Sequence, residues 1–502
     1  MSITTDTLDL FKEALQNPSE DVLAKSITTA TGLVAYDLQA PAKNLYPVNT
    51  PIRNSLPRVP GGVGTATNWV QISNIIGSGY DAMGWVPEGQ RTARMSYTSA
   101  QKAASYRTLG EEDQVTLEAI NAGKGFEDVR ATMTMRLIQK LMLKEENAIF
   151  GGNATLNLGT VGTVTLSATG SGATLPALTY SVICVALTHE GYRNFIGGGG
   201  LTTGLPLGAT FTGADGNTYT LNGGTSIKSA AATQAVTLGQ ILNCSVVPIQ
   251  GAVAYAWFTG AAASEKLEQV TTSNSATFSA PLNGTYQAAA ANFTTDKSSN
   301  SSIAYDGLLT TALKSGSGAY VKTLLTAGVG TTLTASGRGS VAEIDTMLQA
   351  MWDANQVSPD VIYVNSQQLK DITTKVFTGT GSAPLLQYIE DPGGPGYKAT
   401  ASGVISSYFN PFSTAADGGI KIPIKIHPLV PAGTIFGYCN NLPAQYLSNN
   451  VPNVAELKLR ADYYEMEFAQ TARSRQFGVY AEEVLACYAP FALGVINNIV
   501  AG

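Results

Sequence analysis

Residues 125–150 read GFEDVRATMTMRLIQKLMLKEENAIF, and this is the longest strongly helical stretch of the chain. Its first turn carries acidic residues, which the helix dipole favours there, and Gly151 and Gly152 predict its end. Its apolar residues form two stripes, the first of Phe126, Val129, Met133, Leu137 and Leu141, the second of Met135, Ile138, Met142 and Ile149. Two stripes predict packing on two sides, so we interpret the helix as a spine.

The composition bounds the class of protein. The chain has 502 residues, of which 13% are charged, and its formal net charge is −6. This length predicts about two to four domains. The composition is too apolar for a disordered chain, and no cluster of Lys and Arg indicates a general nucleic-acid binder. Without a signal peptide or a long apolar run, we expect assembly in a cytoplasm and no membrane partner.

The cysteines, the histidines and the glycine-rich loop do not form the pattern of a catalytic, metal or nucleotide site. The cysteines form no CxxC pair, so buried free thiols are expected at Cys184, Cys244, Cys439 and Cys487. His189 and His427 stand alone in the sequence, which argues against a zinc site or a histidine-based catalyst. The loop Gly330–Gly339 lacks a phosphate-loop pattern. We therefore expect no catalytic residues, no metal and no cofactor.

The chain before the spine predicts an arm and a hairpin. Residues 1–30 predict two short amphipathic helices, and residues 36–60 are extended and proline-rich. Residues 66–109 predict a projecting hairpin, with strands at 68–76, 80–86, 91–98 and 101–109 around the turn Pro87–Gly89. A ribbon this polar is marginal alone, which implies a partner surface. An ordinary hairpin inside one sheet fits the residues equally well.

Composition changes after the spine. Residues 153–302 are rich in small residues and predict short strands at 178–187, within 236–248, and at 251–259, 267–272 and 276–279. This spacing is typical of a β-sandwich. The positions of Tyr255, Trp257 and Phe278 favour an immunoglobulin-like or fibronectin-type module. Because better-charged helical sequence resumes at Tyr305, we interpret the segment as an insertion.

The rest of the chain predicts a compact α/β part and closing strands. Ser340–Glu343 reads as a capping box for a helix whose buried face is Ile344, Met347, Leu348, Met351 and Trp352, stopped by Pro359. A buried strand at 360–364 follows, and Ser366 is expected to cap the next helix. Loops at 383–419 are expected to contact partners. Strands are predicted at 420–427, 454–468 and 477–488.

The order of these parts resembles the major capsid proteins of tailed bacteriophages, which have the Hong Kong 97 fold. The local sequences that carry the resemblance are residues 50–58, 145–151, 305–309, 344–352 and 460–465. The resemblance covers residues 1–152 and 304–502 and contains no catalytic motif. It implies an α+β fold with an N-terminal arm, an extended hairpin loop, a long spine helix and an α/β axial domain, here with an inserted immunoglobulin-like β-sandwich.

The resemblance also implies a division into domains. The arm would be residues 1–60, the extended-loop hairpin 61–112, the peripheral domain with the spine 113–152, the insertion 153–303, a peripheral–axial connection 304–339, the axial domain 340–440 and the closing strands 441–502. The insertion is expected to project outward. Because the chain starts with a short arm, we expect no fused scaffolding segment and no N-terminal cleavage.

The partners follow from the same resemblance. It implies a homo-oligomer of pentamers and hexamers in an icosahedral shell around double-stranded DNA, which is contacted without sequence preference. A portal protein is a further expected partner, and separate scaffold or decoration proteins are left open. The expected location is the virion, after assembly in the host cytoplasm.

Contacts between subunits are expected at charged residues of the hairpin. Arg91, Arg94 and Arg107 are the candidates to pair with the acidic group Glu111, Glu112 and Asp113 of another subunit. The pairs Glu145–Glu146 and Glu482–Glu483 are expected to be solvated or to lie between subunits. Some relatives cross-link a loop lysine to a neighbour's asparagine, and Lys102 is the one candidate lysine in the hairpin.

Two alternatives remain. An encapsulin, a cellular compartment shell, shares the implied fold, although the large insertion and the arm favour the virus. A β-rich surface adhesin or carbohydrate-binding protein is suggested by the Gly-, Ser- and Thr-rich centre. The missing signal peptide and the free thiols weigh against this second alternative. Microscopy of the expressed protein separates them, because only a shell protein forms closed particles or rings.

Overall fold

The structure is a computed structural model that describes residues 45–76, 83–92, 94–124, 128–213, 216–289, 292–337, 339–378, 387–390, 397–400, 404–412, 419–447, 450–470 and 472–502. The chain forms two compact units, Met1–Pro47 with Glu118–Val129 and Val48–Leu117 with Arg130–Gly502. The larger unit carries the architecture below. The helices predicted within residues 1–30 lie outside the described residues, as do residues 36–44 of the proline-rich segment. Within the described part of that segment, Pro51–Ser55 form a short helix, so the prediction of an extended chain is wrong there.

The helices of the described residues include the predicted spine. They are α1 (Pro51–Ser55), α2 (Leu117–Gly123), α3 (Val129–Gly151), α4 (His189–Gly197), α5 (Leu308–Leu313), α6 (Ala342–Asn355), α7 (Ser366–Thr378) and α8 (Ala444–Leu447). Helix α3 is 23 residues long and confirms the spine over residues 129–150. Residues 125–127 of the predicted helix lie outside the described residues. None of the described helices is both long and apolar enough to cross a membrane.

Two sheets are formed by residues outside the segment 153–303. The spine sheet has the order β1 (Arg58–Val59), β21 (Ala455–Glu467), β22 (Ser474–Cys487) and β4 (Arg107–Thr116). The central sheet has the order β14 (Tyr320–Thr323), β23 (Leu493–Asn497), β20 (Ile435–Tyr438), β15 (Val361–Val364), β19 (Ile420–Ile426) and β18 (Ser407–Asn410). With the helices, these mixed sheets confirm the α+β class.

The inserted segment holds two further sheets. One has the order β12 (Lys266–Thr271), β11 (Ala254–Gly260), β6 (Leu178–Leu187) and β9 (Ala232–Val236), and the other β13 (Ser275–Phe278), β10 (Ile241–Ser245) and β5 (Thr165–Thr169). Separate ribbons are β2 (Ala66–Ile76) with β3 (Ser96–Ser105), β7 (Ala209–Thr212) with β8 (Thr218–Leu221), and β16 (Gln387–Glu390) with β17 (Tyr397–Thr400).

The first stripe of the spine packs on the spine sheet. Leu137 and Leu141 form a buried cluster with Val479 of β22, and Leu109 and Tyr463 pack against its edge. The predicted packing of this stripe is therefore confirmed, its partners are the closing strands, and each buried leucine contributes roughly 1.5–3 kcal/mol. The prediction that the second stripe is also covered is wrong at Met135, which is 61% exposed.

The inserted segment leaves and rejoins the chain at adjacent points. The Gly152 amide donates to Ala148 O at 2.9 Å, and the Gly307 amide donates to Gly152 O at 2.9 Å. A Cβ at Gly307 would lie 2.7 Å from Ala148 O, so only glycine allows this close approach of the two chain segments. The segment between these points is therefore an excursion from the end of the spine.

The excursion is a two-layer β-sandwich. Trp257 of β11 and Tyr180 of β6 share one buried core with Leu242 of β10. Its long strand β6 has the predicted bounds, because ten consecutive strand-forming residues specify it. Strands β6 and β11 are buried on both faces, since Phe195 of α4 and Phe293 cover the side away from the sandwich core. The finer immunoglobulin-like classification stays a prediction.

A pair of asparagines joins the sandwich to the central sheet. Asn498, just after β23, accepts from the Asn274 amide at 2.7 Å and donates through Nδ2 to Asn274 Oδ1 at 3.0 Å. Asn274 also accepts from the Gly330 amide at 2.9 Å. The paired amides leave no buried polar atom of Asn274 unsatisfied and tie the turn after β12 to the end of the chain.

The central sheet carries α6 as predicted, although the predicted caps are wrong. Ile344, Met347, Leu348 and Met351 of α6 are buried, whereas Trp352, also predicted on the buried face, is half-buried. Val341 is the N-cap, and its aliphatic side chain has no atom that could make a cap bond. The Glu343 carboxylate accepts from the Thr334 amide at 3.0 Å. The capping box is therefore not formed.

The neighbouring helix ends differ from expectation in the same way. Asn365 Oδ1 accepts from the Gln367 amide at 3.0 Å, so Asn365 rather than Ser366 caps α7. Helix α6 ends at Asn355, where Gln356 adopts a left-handed conformation with φ 53°, before Pro359 is reached. The residue that starts α7 or ends α6 therefore lies one to three positions before the predicted residue.

The predicted hairpin strands also need correction. The continuous strand expected at 101–109 is divided between β3 and β4. The strand is interrupted at Tyr106, whose amide donates to Thr65 O at 3.0 Å. Strand β3 starts at Ser96 rather than at Arg91, and residues 83–86 form no strand. About half of the loop predicted at 383–419 lies outside the described residues, and the described half contains β16, β17 and β18, so the prediction of a loop is wrong there.

Candidate assembly surface

The β2–β3 ribbon is the most unusual surface of the described residues. The two strands pair in antiparallel register from Ala66 opposite Ser105 to Ile76 opposite Ser96, with an irregularity between Ile72 and Asn74. Up to Gln71, alternate side chains of β2 are half-buried, and from Ile72 onward every residue of β2 is exposed. The ribbon therefore leaves the body near Ile72 with both faces open.

Large apolar side chains are exposed along this ribbon and its loop. They are Val70, Ile72, Ile75, Ile76, Met83, Trp85, Val86, Met95 and Tyr97. A two-stranded ribbon is marginally stable in water, and a contiguous exposed apolar patch marks an interaction site. The geometry therefore indicates that a partner covers this ribbon.

The base of the ribbon is anchored on its own chain. Trp69 meets Tyr488 edge to face, with ring centroids 5.3 Å apart. At the far end, the Gln90 amide donates to Pro87 O at 3.1 Å, which forms the predicted turn. Arg91 and Arg94 follow this turn and are exposed.

The remaining candidate residues lie in the spine sheet. Arg107, at the start of β4, donates to Ala304 O at 3.2 Å and Ser301 O at 2.7 Å. Glu111 pairs with Lys144 of the spine, and Glu112 accepts from the Tyr480 hydroxyl. Asp113 is exposed and lies opposite Phe477 of β22. The structure thus separates Arg107 and the acidic group from Arg91 and Arg94, and pairing across subunits stays a prediction.

Beneath the ribbon's base, the spine carries a buried charged junction. Glu145 is fully buried, contrary to the expectation of a solvated or inter-subunit charge. Its carboxylate accepts from Arg53 Nε at 2.6 Å, pairs with Arg58 and accepts from the Tyr463 hydroxyl. Two guanidinium groups therefore offset the cost of burying this charge.

Glu146 makes a second set of buried contacts. It accepts from the Ile52 amide at 3.0 Å and the Arg53 amide at 2.7 Å, both in α1, and lies 2.6 Å from His427 Nε2. His427 and Glu146 have fully buried side chains. The carboxylate thus satisfies free amides at the start of a helix, and α1 is held against the end of the spine.

Glu483 completes the junction from β22. Its carboxyl accepts from the Tyr305 hydroxyl at 2.8 Å, while Oε2 has no hydrogen-bond partner among the described residues. Burial, and then the charge of Glu145, raise the pKa of Glu483 to about 8. The expectation that Glu483 is solvated is also wrong, whereas Glu482 forms a partly exposed ion pair with Arg460.

The two histidines are not isolated in the fold. Both flank Phe150, with ring centroids 5.1 Å from His189 and 5.7 Å from His427. Burial lowers the pKa of His189 to about 4, and its Nε2 lies 2.9 Å from Leu429 O. No group of three or more potential ligands in the described residues is arranged to hold a metal ion.

The buried junction was missed because its partners are remote in sequence, although one local signal existed. Glu145 follows Leu137 and Leu141 at intervals of four residues, so it continues the buried stripe of the spine. A carboxylate placed on a buried helix face must find partners, and the arginines of residues 53–58 supply them.

Comparisons with solved structures give similarity at low identity. No family model and no curated protein matches the chain. The capsid of a native GTA particle is 8% identical with a TM-score of 0.40 and covers 95% of this chain and 100% of its own. The capsid of Myoviridae phage XM1 is 8% identical with a TM-score of 0.41, covering 94% and 99%.

The holo-SrpI encapsulin complex from Synechococcus elongatus is 8% identical with a TM-score of 0.40, and the match covers 95% of this chain and 97% of that one. The structures named here include phage-type capsids and an encapsulin, the two kinds of shell that the sequence resemblance left open. Similarity at this level does not place the chain in a family, and its function is inferred from its own geometry.

Proposed function

We propose that the chain is a structural shell subunit, the major capsid protein of a tailed bacteriophage, and has no catalytic role. Copies would assemble into pentamers and hexamers of an icosahedral head that encloses double-stranded DNA. The observation that carries this proposal is the β2–β3 ribbon, whose exposed apolar residues need a covering surface. In a shell of identical copies, each subunit supplies that surface to its neighbour.

The rest of the chain supports a subunit that is rigid before it assembles. The buried junction of Glu145 with Arg53 and Arg58 fixes the segment before the ribbon on the spine. The ribbon therefore projects from a well-defined base, which a repeating contact requires. Residues 340–440 would form the axial domain around the symmetry axes. Portal protein, any scaffold or decoration protein, and packaged DNA would be contacted by the assembled particle.

The test compares assembly of the wild-type chain with that of a ribbon variant. Ile72→Ser with Ile75→Ser removes exposed apolar groups from the ribbon, and the matched control Leu238→Ser with Val247→Ser removes groups from the sandwich that are more exposed still. Sedimentation velocity and negative-stain microscopy are expected to show particles or rings for the wild type and the control, and monomers of unchanged thermal stability for the ribbon variant. Normal particles from the ribbon variant, or wild-type monomers at every concentration, would contradict the proposal.

Particles also separate the two kinds of shell. Purified from phage-infected cells, a phage head is expected to hold nuclease-protected DNA. An encapsulin-like compartment would instead hold protein cargo and no protected genome.

A further inference from the structure

A cavity lies at the base of the ribbon. It has a volume of about 420 Å³, and Trp69 and Lys102 of the ribbon line one side. The opposite side is formed by Arg107 and by the chain around Asp306 and Lys314. We call it the base cavity. Its volume lies within the range of about 300–1,000 Å³ that is usual for specific ligand sites.

The base cavity is lined by positive charge and by hydrogen-bond donors that have no acceptor among the residues that the structure describes. Three of its lining residues are basic, and Asp306, its one acidic lining residue, pairs with Lys314. Lys102 is exposed, and its side-chain ammonium makes no hydrogen bond or ion pair with the described residues. The indole nitrogen of Trp69 is buried and has no acceptor in the described part of the chain. The cavity thus offers donors and positive charge to an incoming group.

The loop of the ribbon presents a complementary group. Trp85 is 92% exposed, although a tryptophan is normally among the more buried residues. The turn three residues later carries Glu88, the one ionisable residue within 83–90. An exposed indole beside a carboxylate therefore faces solvent at this loop.

We propose that Trp85 of one copy seats in the base cavity of a neighbouring copy, with Glu88 directed to Lys102. This inference rests on the proposed assembly of identical copies. Trp85 does not fill the cavity of its own chain, because it is 92% exposed. Beyond Trp69, which lines the cavity, β2 carries the chain about 23 Å farther to Ile76, at roughly 3.3 Å for each of these seven residues.

The chemistry of the two surfaces fits this arrangement. Tryptophan is enriched among the residues that dominate binding energy, and such anchors fill pockets on their partners. Lys102 and Arg107 can attract the face of the indole ring, and the Glu88 carboxylate can accept from Lys102. Because the loop and the base cavity are different surfaces of one chain, the contact is head to tail. Repeated through a rotation that closes, it generates a ring.

A disulfide trap tests the proposed proximity. Val86→Cys is combined with Ser315→Cys, since Val86 is exposed beside Trp85 and its replacement leaves the indole in place, and Ser315 is an exposed residue of the cavity lining. Oxidation of assembled particles is expected to give a ladder of covalent oligomers on a non-reducing gel. The control pairs Leu238→Cys, an exposed position of the sandwich, with Ser315→Cys. An equal ladder from the control, or none from the trap in intact particles, would overturn the inference.

A charge swap tests the proposed pairing. Glu88→Lys and Lys102→Glu are each expected to raise the concentration needed for assembly about tenfold or more, as for loss of one contact of ~1.4 kcal/mol. The double variant is expected to recover assembly. Normal assembly of both single variants, or no recovery of assembly in the double variant, would refute the contact. Normal wild-type particles together with no ladder from the trap variant would refute this contact alone, whereas a wild-type chain that never assembles would refute the proposed shell.

Discussion

The ribbon β2–β3 with its loop exposes apolar side chains, whereas the end of the spine α3 buries charged ones. On the ribbon, Ile72 and Trp85 are exposed to solvent. At the end of the spine, Glu145 and Glu146 are fully buried. The spine reaches all of its partners within one chain, including the arginines that neutralise Glu145. The apolar side chains of the ribbon find no covering surface within the described part of their own chain. A single copy therefore completes the contacts of the spine, whereas only a second copy can cover the ribbon.

The largest effect is expected from placing a charge in the spine. Leu141→Asp puts a carboxylate into a fully buried site among apolar side chains, which costs more than about 4 kcal/mol. We expect loss of soluble, folded protein by circular dichroism and expression yield. The same change at Ile72 is expected to leave the monomer folded, and a folded Leu141→Asp protein that forms normal particles would remove the distinction between the two regions.

The buried charge itself can be tested with its neighbour in sequence. Glu145→Ala leaves Arg53 and Arg58 without their carboxylate and is expected to lower the free energy of unfolding by about 3–5 kcal/mol. Lys144→Ala is the matched control, because the Lys144–Glu111 pair is partly exposed and contributes about 0–1 kcal/mol. Chemical denaturation of the unassembled protein measures both. Equal losses would show that Glu145 is not specially supported.

The elements with a continuous local pattern could be predicted from the sequence. Strand β6 and the buried face of α6 follow from apolar runs and from helical spacing, which need no knowledge of the rest of the chain. The caps of α6 and α7 could not be predicted, because nearby loop residues competed for the same bonds. A capping pattern states which residues can bond, and the fold decides which of them do.

The candidate surface was only partly predictable for the same reason. A hairpin near 66–109 and its turn at Pro87 follow from local residue types. The burial of Glu145 depends on arginines about 90 positions earlier, and that of Glu146 on His427, 281 positions later. No local spacing records such contacts. The exposure of Trp85 likewise depends on where the ribbon leaves the body.

The smallest effect is a pH dependence that originates at the junction. The pKa of Glu483 is about 8 in the folded chain against 4.5 ordinarily, so the folded state keeps a proton that the unfolded state has lost. Its contribution to the free energy of unfolding therefore falls from about pH 4.5 to about pH 8 and is constant above. Between pH 7 and 8 the fall is about 1 kcal/mol, from one proton at ~1.4 kcal/mol per pH unit.

Glu483→Gln keeps an acceptor for the Tyr305 hydroxyl and removes the titration, so thermal unfolding of this variant is expected to vary less than that of the wild type between pH 6.5 and 8.5. Below this window His189 contributes the opposite slope, because its pKa is lowered to about 4 and the unfolded chain then binds the extra proton. Glu482→Gln is the matched control, since the pairing with Arg460 lowers the pKa of Glu482 and places its titration outside the window. Parallel pH profiles for Glu483→Gln and the wild type would mean that Glu483 is ionised at neutral pH, and that the arginines of the junction neutralise both carboxylates instead of Glu145 alone.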